Sequence, residues 1–345
     1  MEIDRLCLDE GIGETRAAAF AGGRAVSLFT APLELSGIAR LGEVRPARIR
    51  APAPGADGWF VELDTGEEAF LRKMPEGLSA GAAFCAQIAS EARRGKLARV
   101  RPVKPPSGPQ LCAMELWHER LPGRTAPDFE SGREAREAID AAFDEALSPA
   151  VTLPGGGRLT LTRTRALTAI DIDTAGRSDS GRAGARARKI NLAAVREAAR
   201  QLCLRGLGGL AVIDCIAPLS RPLGSELRSA FLAQFRSVST RRAEALAPSP
   251  FGLLEVSMAW GERPVDEIYL SEDGTRSPLG TLLAGLRRLE AEAEARPGGM
   301  LTLSLPADAM ERFSAPGAPY ADRIASRYGR RIRAETSGRG TIEVY

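Results

Sequence analysis

The chain has 345 residues, 44% apolar and 26% charged, with a net charge of +3 and five cysteines. That length exceeds one ordinary core, so two or three domains are expected, and the composition is that of a folded chain rather than a disordered one. No run of about eighteen apolar residues occurs, and the opening MEIDRLCLDE is acidic without an apolar centre, so neither a membrane span nor a secretory leader is expected.

Residues 12–36 (IGETRAAAFAGGRAVSLFTAPLELS) alternate on both sides of a Gly-Gly pair, the pattern of a hairpin. Strand-like pieces follow closely in GEVRPARIRAP, GWFVELDTGEEAFLRK and GAAFCAQIASEAR, with Gly or Pro between them, which suggests a small barrel. Residues 103–150 turn Pro-rich and then acidic (SGREAREAIDAAFDEALSPA), as a connector with one solvated helix would. RLTLTRTRALTAIDID predicts two strands broken near Arg163 to Arg165. Asn191 then caps a predicted helix, NLAAVREAARQLCLRGL, with Leu192, Val195, Ala199 and Leu202 on one face. Gly206, Gly208 and Gly209 stop it, and LAVIDC reads as a buried strand. A second helix is expected over residues 225–247, carrying Arg228, Arg236, Arg241 and Arg242. FGLLEVSMAW fits either a strand or the start of a helix. Residues 266–345 predict a helix, a strand (MLTLSLP), more helix and two short strands, a small α+β unit.

Asp171 and Asp173 fall on one face of a strand, because side chains alternate with period two. Asp214 ends the next apolar strand, and a helical crossover would make the two strands neighbours. Buried carboxylates need an arginine partner or a cation, and with oxygen ligands alone the cation is Mg²⁺ or Mn²⁺. Between them GRSDSGRAGARARK sets Arg177, Arg182, Arg186, Arg188 and Lys189 against a single acid, Asp179. A basic Gly-rich loop beside a metal site suits a phosphodiester substrate; a structural pairing of Asp171 with one of these arginines fits the same pattern. The positive charge is nearly all arginine, which suits phosphate recognition and equally a GC-rich genome. The single histidine, His118, has no conspicuous partner, so histidine acid–base chemistry is not expected. Cys7, Cys85, Cys112, Cys203 and Cys215 form no C-x-x-C pair, which suits reduced core thiols in the cytoplasm.

ALTAIDIDTAGRSDSG, NLAAVREAARQLCLRGLGGLAVIDCI and PFGLLEVS, in that order and spacing, resemble the catalytic region of the bacterial ribonuclease E/G family. LPGGGRLTLTRTRALTAID is similar to its lead-in to the first catalytic aspartate, GETRAAAFAGGRAVSLF to its N-terminal hairpin, and GWFVELDTGEEAFLRK with ARRGKLARVR to its OB-fold barrel. The resemblance implies an α+β multidomain protein: an N-terminal hairpin at 1–36 (a reduced RNase H-like part), an OB-fold RNA-binding barrel at 37–104, a shortened connector at 105–150, a DNase-I-like catalytic domain at 151–265 and a small α+β domain at 266–345. It implies a cytoplasmic, Mg²⁺-dependent endoribonuclease (Mn²⁺ as the substitute) that cuts single-stranded RNA to 5′-phosphate and 3′-hydroxyl ends. Asp171 and Asp214 fall on the family's metal-binding aspartates, and Asp173 stands where the family has asparagine. Phe60 and Phe70 match barrel aromatics that stack on a base, with Lys96 nearby; packing in the barrel core is the alternative for the two phenylalanines. Arg177, Arg186, Arg188, Lys189 and Asn191 are expected on the RNA-binding side.

The family's zinc-binding cysteines are missing from GERPVDEIYLSEDGTRSPLG, so no zinc is expected and any homo-oligomer would form without a zinc link. No counterpart of the family's pocket for a 5′-monophosphate is found in the shortened connector. The rival readings are a non-catalytic RNA-binding protein derived from the family and a nuclease acting on DNA.

Overall fold

A computed structural model describes residues 2–123, 128–175 and 182–345. Strands β1 (Arg5–Glu10), β2 (Glu14–Ala21) and β3 (Arg24–Pro32) form an antiparallel sheet in that order. The expected hairpin is β2–β3, turned by Gly22 and Gly23 at φ 58° and 73°, a left-handed region that L side chains avoid. β1 adds a strand the sequence pattern did not predict.

β4 (Val44–Pro52), β5 (Trp59–Leu63), β6 (Glu68–Leu71), β7 (Ala83–Ser90) and β8 (Ala98–Val103) close a barrel in the order β4-β5-β6-β8-β7, an OB-like arrangement. Ile49, Val61, Leu63, Leu71, Ile88 and Val100 fill it. After α1 (Ala113–Glu119), the helix α2 (Arg133–Leu147) departs from the solvated helix expected there. It buries Ala135, Ile139, Ala142, Phe143 and Ala146 against Cys7, Ala18, Phe20 and Leu28 of the N-terminal sheet. Its acids Glu134, Glu137 and Asp144 stay exposed, which made the apolar stripe easy to miss.

A six-stranded sheet follows, built from β9 (Ala150–Thr152), β10 (Arg158–Arg163), β11 (Leu167–Asp173), β12 (Gly209–Asp214), β13 (Ala243–Ala245) and β14 (Leu253–Met258). Its order is β13-β14-β12-β11-β10-β9. Helices α3 (Ala183–Leu204) and α4 (Arg221–Val238) connect β11 to β12 and β12 to β13. Leu159, Leu161, Ile170, Ile172, Ala211, Ile213, Leu254 and Val256 share one buried core with Val195, Leu202, Leu227 and Phe231 of the two helices. The alternate residues of the strands face the other way, so the second face of the sheet is open. The second helix stops at Val238 instead of running to 247; Arg241 Nη1 donates to the Leu207 carbonyl at 2.8 Å, tying the following turn to the start of β12. FGLLEVSMAW resolves as a strand, β14, antiparallel to β12.

The chain ends with α5 (Asp266–Tyr269), α6 (Pro278–Ala295), β15 (Leu301–Leu305), α7 (Ala307–Phe313), α8 (Tyr320–Tyr328), β16 (Ile332–Thr336) and β17 (Glu343–Val344). β15 pairs parallel with β16 and antiparallel with β17, and α6 packs Leu282, Leu286 and Leu289 against Leu301, Leu303 and Leu305. No helix among the described residues is long and apolar enough to cross a membrane.

The β7–β8 loop of the barrel anchors on the segment after β14. Glu91 donates its backbone N–H to the Gly261 carbonyl at 2.9 Å, and Arg263 N donates to the Glu91 carboxylate at 3.0 Å. Arg94 N donates to the Glu267 carboxylate at 2.6 Å, and the Arg93 guanidinium lies 4.1 Å over the Trp260 ring.

Candidate active site

LTAIDID folds as a strand buried on one side only: Thr168, Ile170 and Ile172 point into the core, while Ala169, Asp171 and Asp173 point out. In β12, Ala211 and Ile213 point in and Asp214 points out. β11 and β12 are parallel neighbours with Ile170 opposite Ile213, so the next position sets Asp171 beside Asp214. Adjacent strands lie about 4.8 Å apart, which brings two carboxylates to one spot at the C-terminal end of the parallel pair.

Both aspartates are exposed, contrary to the expected burial. The reason is that α3 and α4 cover only the opposite face. Among the described residues neither Asp171 nor Asp214 has an ion-pair partner, so no described arginine takes the place of a cation here. Asp173 also lies on the open face, opposite Arg158, and its Oδ1 accepts from Ala175 N at 2.8 Å, closing the turn that ends the strand. The row through the pair runs Thr160, Asp171, Asp214, Leu253. The next row carries Glu255 opposite Val212, a further outward acid that sequence reasoning passed over. No group of three His, Cys, Asp or Glu side chains among the described residues is close enough to hold an ion by itself. Two carboxylates do suit Mg²⁺, which keeps several waters and commonly takes one or two carboxylates plus substrate phosphate oxygens.

The basic segment is only in part a loop. Residues 183–189 are the first turns of α3, with Arg182 as the N-cap, and Arg177 lies outside the described residues. Arg186, Arg188 and Lys189 are exposed, and Arg188 Nε donates to Glu226 of α4 at 2.8 Å. Asn191 is corrected on two counts. It sits well inside α3 rather than at its start, and it is fully buried rather than facing a ligand. Its amide makes reciprocal bonds with Ile216, donating to the carbonyl at 2.8 Å and accepting from the N–H at 2.9 Å. It therefore fixes the backbone two residues beyond Asp214. Cys215 is buried, and its thiol is pushed up to about 12 by burial and then by the neighbouring Asp214 charge, so it stays neutral.

On the barrel, Phe60 and Phe70 are directly opposed on β5 and β6 and half-exposed. They alternate with the inward Val61, Leu63, Ala69 and Leu71, so they lie on the outer face and not in the core. The Phe70 ring packs over Gly58, where an added Cβ would come within 2.3 Å of it. Arg99 of β8, which sequence reasoning missed, is the register partner of Phe70. Arg93 lies close enough to Arg99 for burial, and then that like charge, to hold its pKa below the ordinary arginine value. Lys96 is exposed in the β7–β8 loop, where its N–H bonds back to the Arg93 carbonyl. Aromatics on strands two and three of an OB-like barrel, with basic residues in its last loop, match the usual oligonucleotide side of that fold.

The profile of the Ribonuclease E/G family matches residues 131–259. The chain is 36% identical to ribonuclease E of Escherichia coli over 157 residues, 42% of this chain and 14% of that protein. It is 39% identical to ribonuclease E of Haemophilus influenzae over 123 residues, and 32% identical to that of Nostoc over 158 residues. Residues 131–259 are thus similar to the ribonuclease E/G family. The chain aligns with only 13% of the Haemophilus protein and 22% of the Nostoc protein, so the activity of those whole proteins is not carried over by similarity alone.

The matched stretch runs from the start of α2 to the end of β14, and so holds Asp171, Asp173, Asp214, Asn191 and Glu255. The barrel with Phe60, Phe70 and Lys96 lies outside it.

Proposed function

We propose that the protein is an endoribonuclease that cuts single-stranded RNA, using Mg²⁺ held by Asp171 and Asp214 and leaving 5′-phosphate and 3′-hydroxyl ends. The observation that carries the reading is the pair of exposed carboxylates side by side on β11 and β12, without an ion-pair partner among the described residues and within the family-matched stretch. When bound, the ion polarises the scissile phosphate and lowers the pKa of an attacking water. Asp171 and Asp214 each offer an oxygen to hold it. Asn191 keeps Asp214 in place through the Ile216 backbone. Asp173 adds negative charge beside the pair while capping its turn. Phe60 and Phe70 offer stacking faces for a base, and Arg99, Lys96, Arg186 and Lys189 attract the phosphates.

The domains follow the same reading: residues 1–36 a reduced RNase H-like part, 37–104 the RNA-binding barrel, 105–150 a connector, 151–265 a DNase-I-like catalytic domain and 266–345 a small α+β domain. Five free cysteines fit action in the cytoplasm. Incubating the full chain with end-labelled A/U-rich single-stranded RNA, with Mg²⁺ or with a chelator, tests the proposal. Metal-dependent fragments ending in 3′-hydroxyl support it. RNA that is bound but never cut, at any divalent concentration, leaves the non-catalytic RNA-binding reading in its place.

A further inference from the structure

Phe251 is 88% exposed, the most exposed large hydrophobic residue among those described. The turn that carries it is closed by two backbone hydrogen bonds. Gly252 N donates to the Ser249 carbonyl at 2.9 Å, Ser249 N donates to the Leu253 carbonyl at 2.9 Å, and Gly252 takes φ 88°. Pro250 and Phe251 are thus the two central residues of a β-turn. Pro in the first central position fixes φ; the second favours small polar residues, and nothing in the turn's geometry calls for an aromatic there. No described side chain covers the ring, so it adds nothing to a core.

The turn is bonded to the carboxylate site itself. Cys215 N donates to the Gly252 carbonyl at 3.1 Å, and Leu253 is the register partner of Asp214. A Cβ at position 252 would meet the Cys215 carbonyl oxygen at 3.2 Å, so glycine lets the two segments approach closely. The barrel is anchored at the other end of the sheet, where Gly261 follows β14 and Trp260 lies against Gly208 and Gly209. Asp214 lies five residue steps along β12 from Gly209, about 17 Å of strand. The barrel's point of attachment therefore lies at the far end of the sheet from the carboxylates, while Phe251 stands beside them.

We infer that Phe251 is a base-stacking residue, which packs against one unpaired nucleobase of single-stranded RNA next to the phosphate held at Asp171 and Asp214. The inference rests on the ribonuclease reading and deepens it. An aromatic held on a closed turn stacks on any base, and it does so only when that base is free of a duplex. Selection for single strands would then be exercised at the cut as well as at the barrel.

The test uses the full chain with Phe251→Ala, Phe251→Tyr and Phe251→Trp. Phe251→Ala is expected to weaken RNA affinity in chelator, and kcat/KM in Mg²⁺, by about tenfold, with an unchanged melting temperature and recovery in Phe251→Tyr. In Phe251→Trp, the emission added to that of the three native tryptophans should be quenched at saturating RNA. Wild-type affinity and turnover in Phe251→Ala, a lowered melting temperature, or added emission indifferent to RNA would each overturn the stacking role. Those results leave the ribonuclease reading standing. A wild-type chain that neither binds nor cuts RNA removes that reading, and the stacking role with it.

Discussion

Two sets of acids in this molecule are treated in opposite ways. At the junction of the N-terminal sheet with α6, Asp9, Glu14 and Glu290 are buried, at 9%, 3% and 4% exposure. Arg16 is fully buried between Asp9 at 2.8 Å and Asp140 at 2.7 Å. Glu14 accepts from Arg287, Tyr269 and Thr30, and Arg327 donates to Glu290 at 2.9 Å. On the open sheet face, Asp171 and Asp214 stand side by side without a partner among the described residues. Like charges on facing strands cost about 0.2–1 kcal/mol, which folding alone gives no reason to accept. The difference separates charges that hold the fold from charges left for something the fold does not contain.

Substitution should split the two sets cleanly. Asp171→Ala and Asp214→Ala are each expected to lower RNA cleavage on the order of a thousandfold or more, while the melting temperature stays level or rises. RNA affinity through the barrel should persist. Near wild-type cutting by either variant would remove the pair from the active site. Arg16→Ala should do the reverse, because it strands buried acids: a loss of about 3–5 kcal/mol in chemical denaturation, with turnover per folded molecule unchanged. A stability loss below about 1 kcal/mol would show that the junction is not held by its ion pairs.

Half of this contrast was legible in the sequence. The alternation in LTAIDID and the acid at the end of LAVIDC put both aspartates on neighbouring strands. Their exposure was not legible, because periodicity says which residues share a face and not whether a second layer covers it. Asn191 misled for a related reason. An asparagine ahead of an apolar 3.6-residue period looks like a cap, yet the Ala- and Arg-rich stretch before it is strongly helix-forming and moves the start to Ala183. The junction's network was invisible, since it joins residues more than 100 positions apart: Arg16 with Asp140, and Glu14 with Tyr269. Phe60 and Phe70 came from family resemblance; their outward direction follows from β5 and β6 pairing inside a closed barrel.

Glu290 sharpens the comparison, because it is the junction acid whose burial is least offset. Burial pushes its carboxyl up to about 7, with Arg327, the Ile12 N–H and Arg136 pulling it down and the Asp9 charge adding to the rise. A carboxyl raised in the folded state favours folding below its unfolded value near 4.5 and loses that contribution as pH rises to about 7. Glu197 and Glu262 are shifted the other way, mainly by Arg200 and Arg120 working against burial, so they lose stability only as pH falls through lower values. Between pH 5 and 8 the slope should therefore report Glu290. We expect wild-type stability to fall on the order of 2 kcal/mol across that window, and Glu290→Gln to flatten it. An identical slope in the variant would assign the titration elsewhere.

The same distinction between answered and unanswered charge applies within one helix, where the expected effect is smallest. Arg188 is engaged with Glu226, whereas Arg186, two residues earlier and also exposed, has no ion-pair partner among the described residues. If RNA phosphates are the missing partner, Arg186 should release a counterion on binding and Arg188 largely should not. Arg186→Ala is then expected to reduce the slope of log affinity against log salt by about 0.7, the single-strand value for one phosphate contact. Arg188→Ala should change it by much less, since it also frees Glu226 to repel the strand without removing a phosphate contact. Equal slopes in both variants and wild type would place the start of α3 outside the RNA path. A larger change from Arg188 than from Arg186 would mean that the Glu226 pair opens when RNA arrives, and that an answered charge in the free protein is no guide to its role in the complex.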